Sequence, residues 1–220
     1  MPITQRTRDP PTTSGSVPVA SLGVDAGAGV PVHCPRKSFE APRGVALLVL
    51  FVCTGNICRS PLAERLAVAH ARRLEISGFS ASSAGVRAVV GHPIHPHAAH
   101  VLRQLGGNAS DFAARQLTAK IAADADLVLT MTKAHRDAVL EVAPRQLRRT
   151  FTLSSAARLV SDFKARTFDD LAALRPRLPT DEMLDIPDPV GQGQEFHTLI
   201  GSEINALLPP VLQLWRNTAS

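Results

Sequence analysis

The chain has 220 residues, 45% hydrophobic and 20% charged, which is enough for one sizeable α/β domain. Its formal net charge of +5 favours anionic partners, but the basic residues are scattered and aromatics make up only 4%, which argues against nucleic acid and its stacking platforms. Three cysteines (Cys34, Cys53 and Cys58) are too few and too odd a number for a disulfide scaffold, and point to a reducing compartment, the cytoplasm.

Residues 1–43 are rich in Pro, Thr, Ser and Gly without periodicity, as in "RDPPTTSGSVP". Such a segment buries too little surface to offset ordering, so a disordered tail is expected, with one domain over 44–216. The tail lacks a charged start followed by an apolar core, so no secretory signal is expected. Cys34 lies within it and reads as an incidental thiol. No apolar run is long enough to span a membrane, and none is expected to.

Beyond the tail, short β-branched runs alternate with longer amphipathic segments. The pattern predicts strands over 46–53, 79–83, 125–131 and 150–153. It predicts helices over 60–74, 96–105, 119–123, 133–142, 154–159 and 195–214, with a short helix over 167–174 that carries Phe168, Leu171 and Leu174 on one face. Strands alternating with helices imply βαβ units. The expected fold is an open parallel sheet of about four strands flanked by helices, flavodoxin- or Rossmann-like, with a ligand at the carboxyl ends of the strands.

The first strand ends at Cys53, within "LLVLFVCTGNICRSPLAERLA". The loop Cys53-Thr54-Gly55-Asn56-Ile57-Cys58-Arg59-Ser60 leads straight into a helix with Pro61 in its first turn. Gly55 and Asn56 both tolerate positive φ, which lets successive N–H groups turn inward into an anion nest. The free N–H groups of the helix start add to that nest, and Arg59 offers a two-pronged fork for a tetrahedral oxyanion. The same field favours a thiolate at Cys53, and Ser60 is placed to hydrogen-bond the sulfur. A thiolate facing a bound phosphoryl group is a nucleophile aligned for in-line attack. A nucleotide-binding Gly-Lys-Ser/Thr is absent. Zinc would need two further ligands near Cys53 and Cys58, and Arg59 opposes a cation there, so neither a metal nor a cofactor is expected.

"VLFVCTGNICRSPLAE" resembles the signature of the low-molecular-weight protein tyrosine phosphatases. "SSAGV" (82–86), "HPHAAHVLRQLG" (95–106), "ARQLT" (114–118), "ADLVLTMTKAH" (125–135) and "FTL" (151–153) follow in that family's order. The resemblance implies hydrolysis of phosphomonoesters, phosphotyrosine in proteins above all, through a cysteinyl-phosphate. Cys53 would be the nucleophile and Arg59 the phosphate clamp. Thr54, Gly55, Asn56, Ile57 and Cys58 would complete the phosphate loop, with Ser60 and Ser83 supporting it. The family takes its general acid from a late Asp-Pro. "DIPDPVG" offers Asp185 and Asp188, and only Asp188 precedes proline, so Asp188 is assigned. The expected partner is a phosphorylated protein, and the expected state a monomer.

The departures from the family are informative. Val190 and Gly191 follow Asp-Pro where aromatics are usual, and the chain contains no tyrosine. Phe112 stands where many members carry a histidine, so the hydrogen bonds that hold the loop must differ. Residues 161–184 look like an insertion that would pack near the pocket rim. Cys58 reads either as a partner for a reversible disulfide with Cys53 or as packing. His92, His95, His97 and His100 have no acidic or cysteine neighbour in sequence and read as surface and capping residues, with His95 at a helix cap. Alternatives on the same scaffold are a protein arginine phosphatase, an arsenate reductase and a silent phosphate-binding module. Ile57, where arginine-specific relatives carry a small polar residue, favours the tyrosine type. The lack of a cysteine after Cys58 opposes a thioredoxin-coupled reductase.

Overall fold

The computed structural model describes residues 47–179 and 185–218; the expected tail over 1–43 lies outside the described residues. Four parallel strands, β1 (Leu47–Cys53), β2 (Phe79–Gly85), β3 (Leu127–Thr130) and β4 (Thr150–Thr152), form one sheet in the order β2-β1-β3-β4. The chain leaves β1 toward β2 on one side, then returns past it to β3 on the other. That reversal opens a crevice at the carboxyl end of β1, where Cys53 sits.

The β1 sequence is apolar throughout because both its faces are covered. Val49, Phe51 and Cys53 point into the larger core, and Leu50 and Val52 into the smaller one. The larger core lies under α1 (Arg59–Arg73), α2 (Pro96–Gln104), α5 (Leu153–Ser161) and α7 (Gln194–Thr218). The smaller core, around Ala122, Val128 and Val139, lies under α3 (Ala119–Ala123) and α4 (Lys133–Val142). In α1 the buried Leu62, Ala63, Leu66, Ala67 and Ala71 recur at helical spacing. Threonines start the helices after β3 and β4: Thr132 accepts from the His135 N–H and Thr152 from the Ser155 N–H.

The predicted elements are all present, with shifted ends. β2 continues two residues beyond 83, because Ala84 and Gly85 still pair with Val52 and Cys53. α7 runs past 214, since Trp215 is buried against the ring edges of Phe79 and Phe168, with centroids 5.2 and 5.0 Å away. It does so despite Pro209 and Pro210 in its interior. Two short 3-10 helices, Pro144–Arg149 and Arg175–Arg177, were not predicted. Each carries a proline in its first turn and is too short to show a helical periodicity.

The segment expected at the pocket rim packs elsewhere. Its helix α6 (Phe168–Leu174) forms as predicted, closed by a reciprocal cap between Thr167 and Asp170. It sits at the amino ends of the strands: Arg175 donates to the Thr150 carbonyl at 2.8 Å and its guanidinium lies 4.1 Å over the Phe151 ring. Leu171 is fully buried in the larger core. The apolar face of α6 has a home only there, beside Trp215, at the opposite end of the strands from Cys53. Residues 180–184 of the segment lie outside the described residues.

Leu171→Ala is therefore expected to destabilise the fold by about 2–5 kcal/mol, the usual cost of emptying a buried leucine site. Urea unfolding checks this.

Candidate active site

The loop between β1 and α1 is held from outside by its carbonyls. Val86, Arg87, Val89 and His95 donate their backbone N–H groups to the carbonyls of Cys53, Thr54, Gly55 and Ile57 at 2.8–3.0 Å. Among the described residues, no acceptor takes the backbone N–H groups of residues 54–58, the arrangement of an anion nest. Of the two residues expected at positive φ, only Asn56 adopts it, at 55°. Gly55 does not, so its selection rests on something other than a left-handed backbone. Gly85 is fixed by close approach: a Cβ there would come within 2.5 Å of the Thr54 carbonyl oxygen.

The buried Asn56 side chain organises the loop. Its Oδ1 accepts the Arg115 backbone N–H at 2.9 Å, and its Nδ2 donates to Ser60 Oγ at 2.9 Å and Ser83 Oγ at 2.8 Å. Ser83 in turn donates to Glu64 Oε2 at 2.6 Å. Ser60 Oγ lies 3.0 Å from Cys53 Sγ and 3.4 Å from the Ala84 carbonyl oxygen. A hydroxyl has one proton. With Asn56 occupying one acceptor position, Ser60 turns that proton to a sulfur anion, or accepts from a thiol and turns to Ala84. The expected pair, Ser60 and Ser83, thus supports the loop through one amide. Glu64 and Arg115, which sequence reasoning missed, close the network. Burial pushes the Glu64 carboxyl up, against the hydrogen bond from Ser83. Phe112 lies beneath the Arg65 guanidinium, 5.7 Å from it.

Arg59 is 3% exposed. Its Nη1 donates to the Ile186 carbonyl at 2.9 Å, and its Nη2 meets Asp188 Oδ2 at 2.6 Å. Its buried Nε has no partner among the described residues. Asp188 is 45% exposed. Asp185, the rejected candidate, accepts the Lys133 N–H at 2.7 Å at the start of α4 and has a structural task. Cys53, Ile57, Arg59, Arg87, Asp188 and Val190 line a cavity of about 220 Å³ together with Thr54, Gly55, Cys58 and Val89. A larger cleft of about 550 Å³ lies at the amino ends of the strands among Arg145, Arg148, Arg149 and Asp169, and no cysteine or histidine is among its described lining residues.

Two histidines outside the loop reach it. His135 Nε2 is 2.9 Å from Thr54 Oγ1 and its Nδ1 is 2.9 Å from Thr132 Oγ1. His95 stands at the N-cap of α2, as expected, but its side chain caps nothing. It stacks instead on His197 of α7, with centroids 5.0 Å apart, and Cys58 lies beside both. So the absence of a cysteine neighbour for these histidines, true along the sequence, does not hold in the fold. Burial, with help from the charges of Cys53 and Asp188, pushes the Cys58 thiol up to about 12.

Burial and the Arg59 charge push His135 down to about 4 from an ordinary 6.5. The unfolded chain therefore takes up that proton first as pH falls. The contribution of His135 is intact above about 6.5 and is lost progressively as pH drops through about 4, to about 3 kcal/mol in all. His135→Gln is expected to remove this part of the pH dependence, read as the difference between the two proteins' unfolding free energies from pH 7 to pH 4.

Comparison with known proteins agrees with this geometry. The family described as low molecular weight phosphotyrosine protein phosphatase matches residues 48–214. The low molecular weight protein-tyrosine-phosphatase Etp of Escherichia coli K12 is 43% identical over 96 residues, 44% of this chain and 62% of that one. The chain thus spans less than two thirds of that relative's length. The crystal structure of a low molecular weight protein tyrosine phosphatase from T. tengcongensis superposes with a TM-score of 0.62 at 30% identity, covering 76% of this chain and 98% of that one. The YwlE arginine phosphatase of Geobacillus stearothermophilus superposes with a TM-score of 0.58 at 32% identity, over 75% and 90% of the two chains. By the extent of the family match, and with its order of motifs threaded through one sheet, this chain belongs to the low molecular weight phosphotyrosine protein phosphatase family.

Proposed function

We propose that this protein hydrolyses phosphotyrosine in proteins through a cysteinyl-phosphate, with Cys53, Arg59 and Asp188 in the roles of nucleophile, clamp and general acid. The observation that carries the reading is the convergence of three groups on one cavity: a sulfur hydrogen-bonded to Ser60, an arginine with an unpartnered Nε, and a half-exposed carboxyl on that same arginine. The phosphate oxygens take the N–H groups of residues 54–58 and the Arg59 fork, displacing Asp188 from it. The Cys53 thiolate then forms an S–P bond as the P–O bond to the tyrosine oxygen breaks. The Asp188 carboxyl gives its proton to that oxygen. In the second half, Asp188 takes a proton from water, the water oxygen attacks phosphorus, and the thiolate leaves. The charge on the transferring group is met by Arg59 and backbone dipoles, so the chemistry requires no metal.

The apolar part of the cavity wall is aliphatic, formed by Ile57, Val89 and Val190, and Val190 stands where aromatics are usual. They grip a planar ring by dispersion and burial rather than by stacking, which is a reason to compare phosphoarginine as a second substrate. Buried free thiols at Cys53 and Cys58 suit a reducing compartment, and we place the activity in the cytoplasm.

The test is phosphate release from a phosphotyrosine peptide by reduced protein. Cys53→Ser is expected to abolish turnover, and Asp188→Asn to lower kcat by about 10²–10⁴ for an aryl ester. Turnover that survives in Cys53→Ser defeats the mechanism. Release from phosphoarginine but not from phosphotyrosine moves the substrate to the arginine type.

A further inference from the structure

Cys58 is not needed as a nucleophile, yet its sulfur is held in a defined setting. Its Sγ, one ring nitrogen of His95 and one of His197 all lie within 4.8 Å of one another. Cys58 is 4% and His197 2% exposed. His95 Nδ1 and His197 Nε2 are buried and, among the described residues, have no hydrogen-bond partner. Buried imidazole nitrogens without partners are costly, so two of them on histidines clustered with one thiol need an explanation. The Pro189 backbone carbonyl favours a proton on the His197 ring. Nε2 has no partner among the described residues, so a proton drawn to that carbonyl is one on Nδ1, which leaves a lone pair on Nε2. Histidines that ligate metals are commonly oriented in this way by a carbonyl on the opposite nitrogen.

We propose that Cys58, His95 and His197 form a Zn²⁺ site against the outer side of the phosphate loop, whose occupancy restrains the loop and slows turnover. One sulfur and two imidazoles form a donor set for a borderline-soft divalent ion, and three protein ligands leave a fourth position for water. In a tetrahedral zinc site the donor atoms stand about 3.3–3.6 Å apart. The three groups therefore need to close by no more than about 1.5 Å on binding. The nearest positive charge, Arg59, is already paired with Asp188. On binding, the Cys58 thiol proton passes to solvent as the S–Zn bond forms, and no electron is transferred. The three ligands come from the starts of α1 and α2 and from α7, so the ion ties the loop to α7 and adds a side-chain tie to α2, which already donates the His95 N–H to the Ile57 carbonyl.

The site does not depend on the phosphatase reading, and its test does not use turnover as the first readout. Full-length protein carrying Cys34→Ser, which removes the thiol outside the described residues, is titrated with Co²⁺ as a spectroscopic probe, and Zn²⁺ is measured by competition. One Co²⁺ per chain with a thiolate charge-transfer band is expected, and the band should persist when Cys53→Ser is added. Cys58→Ser should abolish the band, and His95→Gln and His197→Gln should each weaken binding by at least about tenfold. Circular dichroism establishes that each variant is folded. Zn²⁺ inhibition of whatever phosphate release the protein shows should weaken in parallel in His197→Gln. Loss of the band with Cys53→Ser would assign the ion to the nucleophile and overturn the proposal. Unchanged affinity in both histidine variants, or no Co²⁺ binding by folded protein, would overturn it as well.

Discussion

A single side-chain amide carries the loop. Asn56 sits at positive φ in the middle of the turn, fully buried, and spends all of its obvious hydrogen-bonding capacity on three separate pieces of chain: Ser60 in α1, Ser83 in β2 and the backbone at Arg115. Aspartate would lose both donors, and a residue with a β-branched side chain would resist the backbone angle. Because each serine has only one proton, the amide's two donors leave the Ser83 proton for Glu64 and the Ser60 proton for the sulfur anion or the Ala84 carbonyl. The orientation of the Cys53 environment is thus decided several ångströms away from Cys53.

A second constraint acts on the charges. Arg59 is buried with three demands on its guanidinium, and the chain meets two of them, through Ile186 and Asp188, from the segment just before α7. Burying a cation without a counter-charge would be prohibitive. The carboxyl that the chemistry requires therefore doubles as the counter-charge of the free protein. A bound phosphate takes over that duty, and in doing so releases the carboxyl. Binding and the readiness of the acid are coupled through one arginine.

Legibility in the sequence followed chain distance. Cys53 through Ser60 are consecutive, so spacing alone exposed the strand-loop-helix junction and its anion chemistry. The alternating pattern likewise yielded the four strands and the helices, because β1 and β3 are buried on both faces and the helices on one. Asp188 needed the family resemblance to be chosen over Asp185, and the geometry of Lys133 explains the choice. Glu64, Arg115, His135 and His197 were not legible. Each acts through a contact made only when β2, β3 or α7 returns to the loop, and none has a local signature beyond an ordinary polar residue in a helix or turn. The misplacement of α6 has the same origin. Periodicity shows that a helix has an apolar face and is silent about which end of the sheet receives it.

Pro209 and Pro210 give α7 a further property. Each removes one backbone donor from the interior of a 25-residue helix. The helix holds together because its buried face, Ile200, Ile204, Leu208, Val211 and Trp215, packs into the larger core on both sides of the prolines. Side-chain packing thus bridges a seam where the backbone ladder is weak. Amide exchange along α7 should change character at that seam.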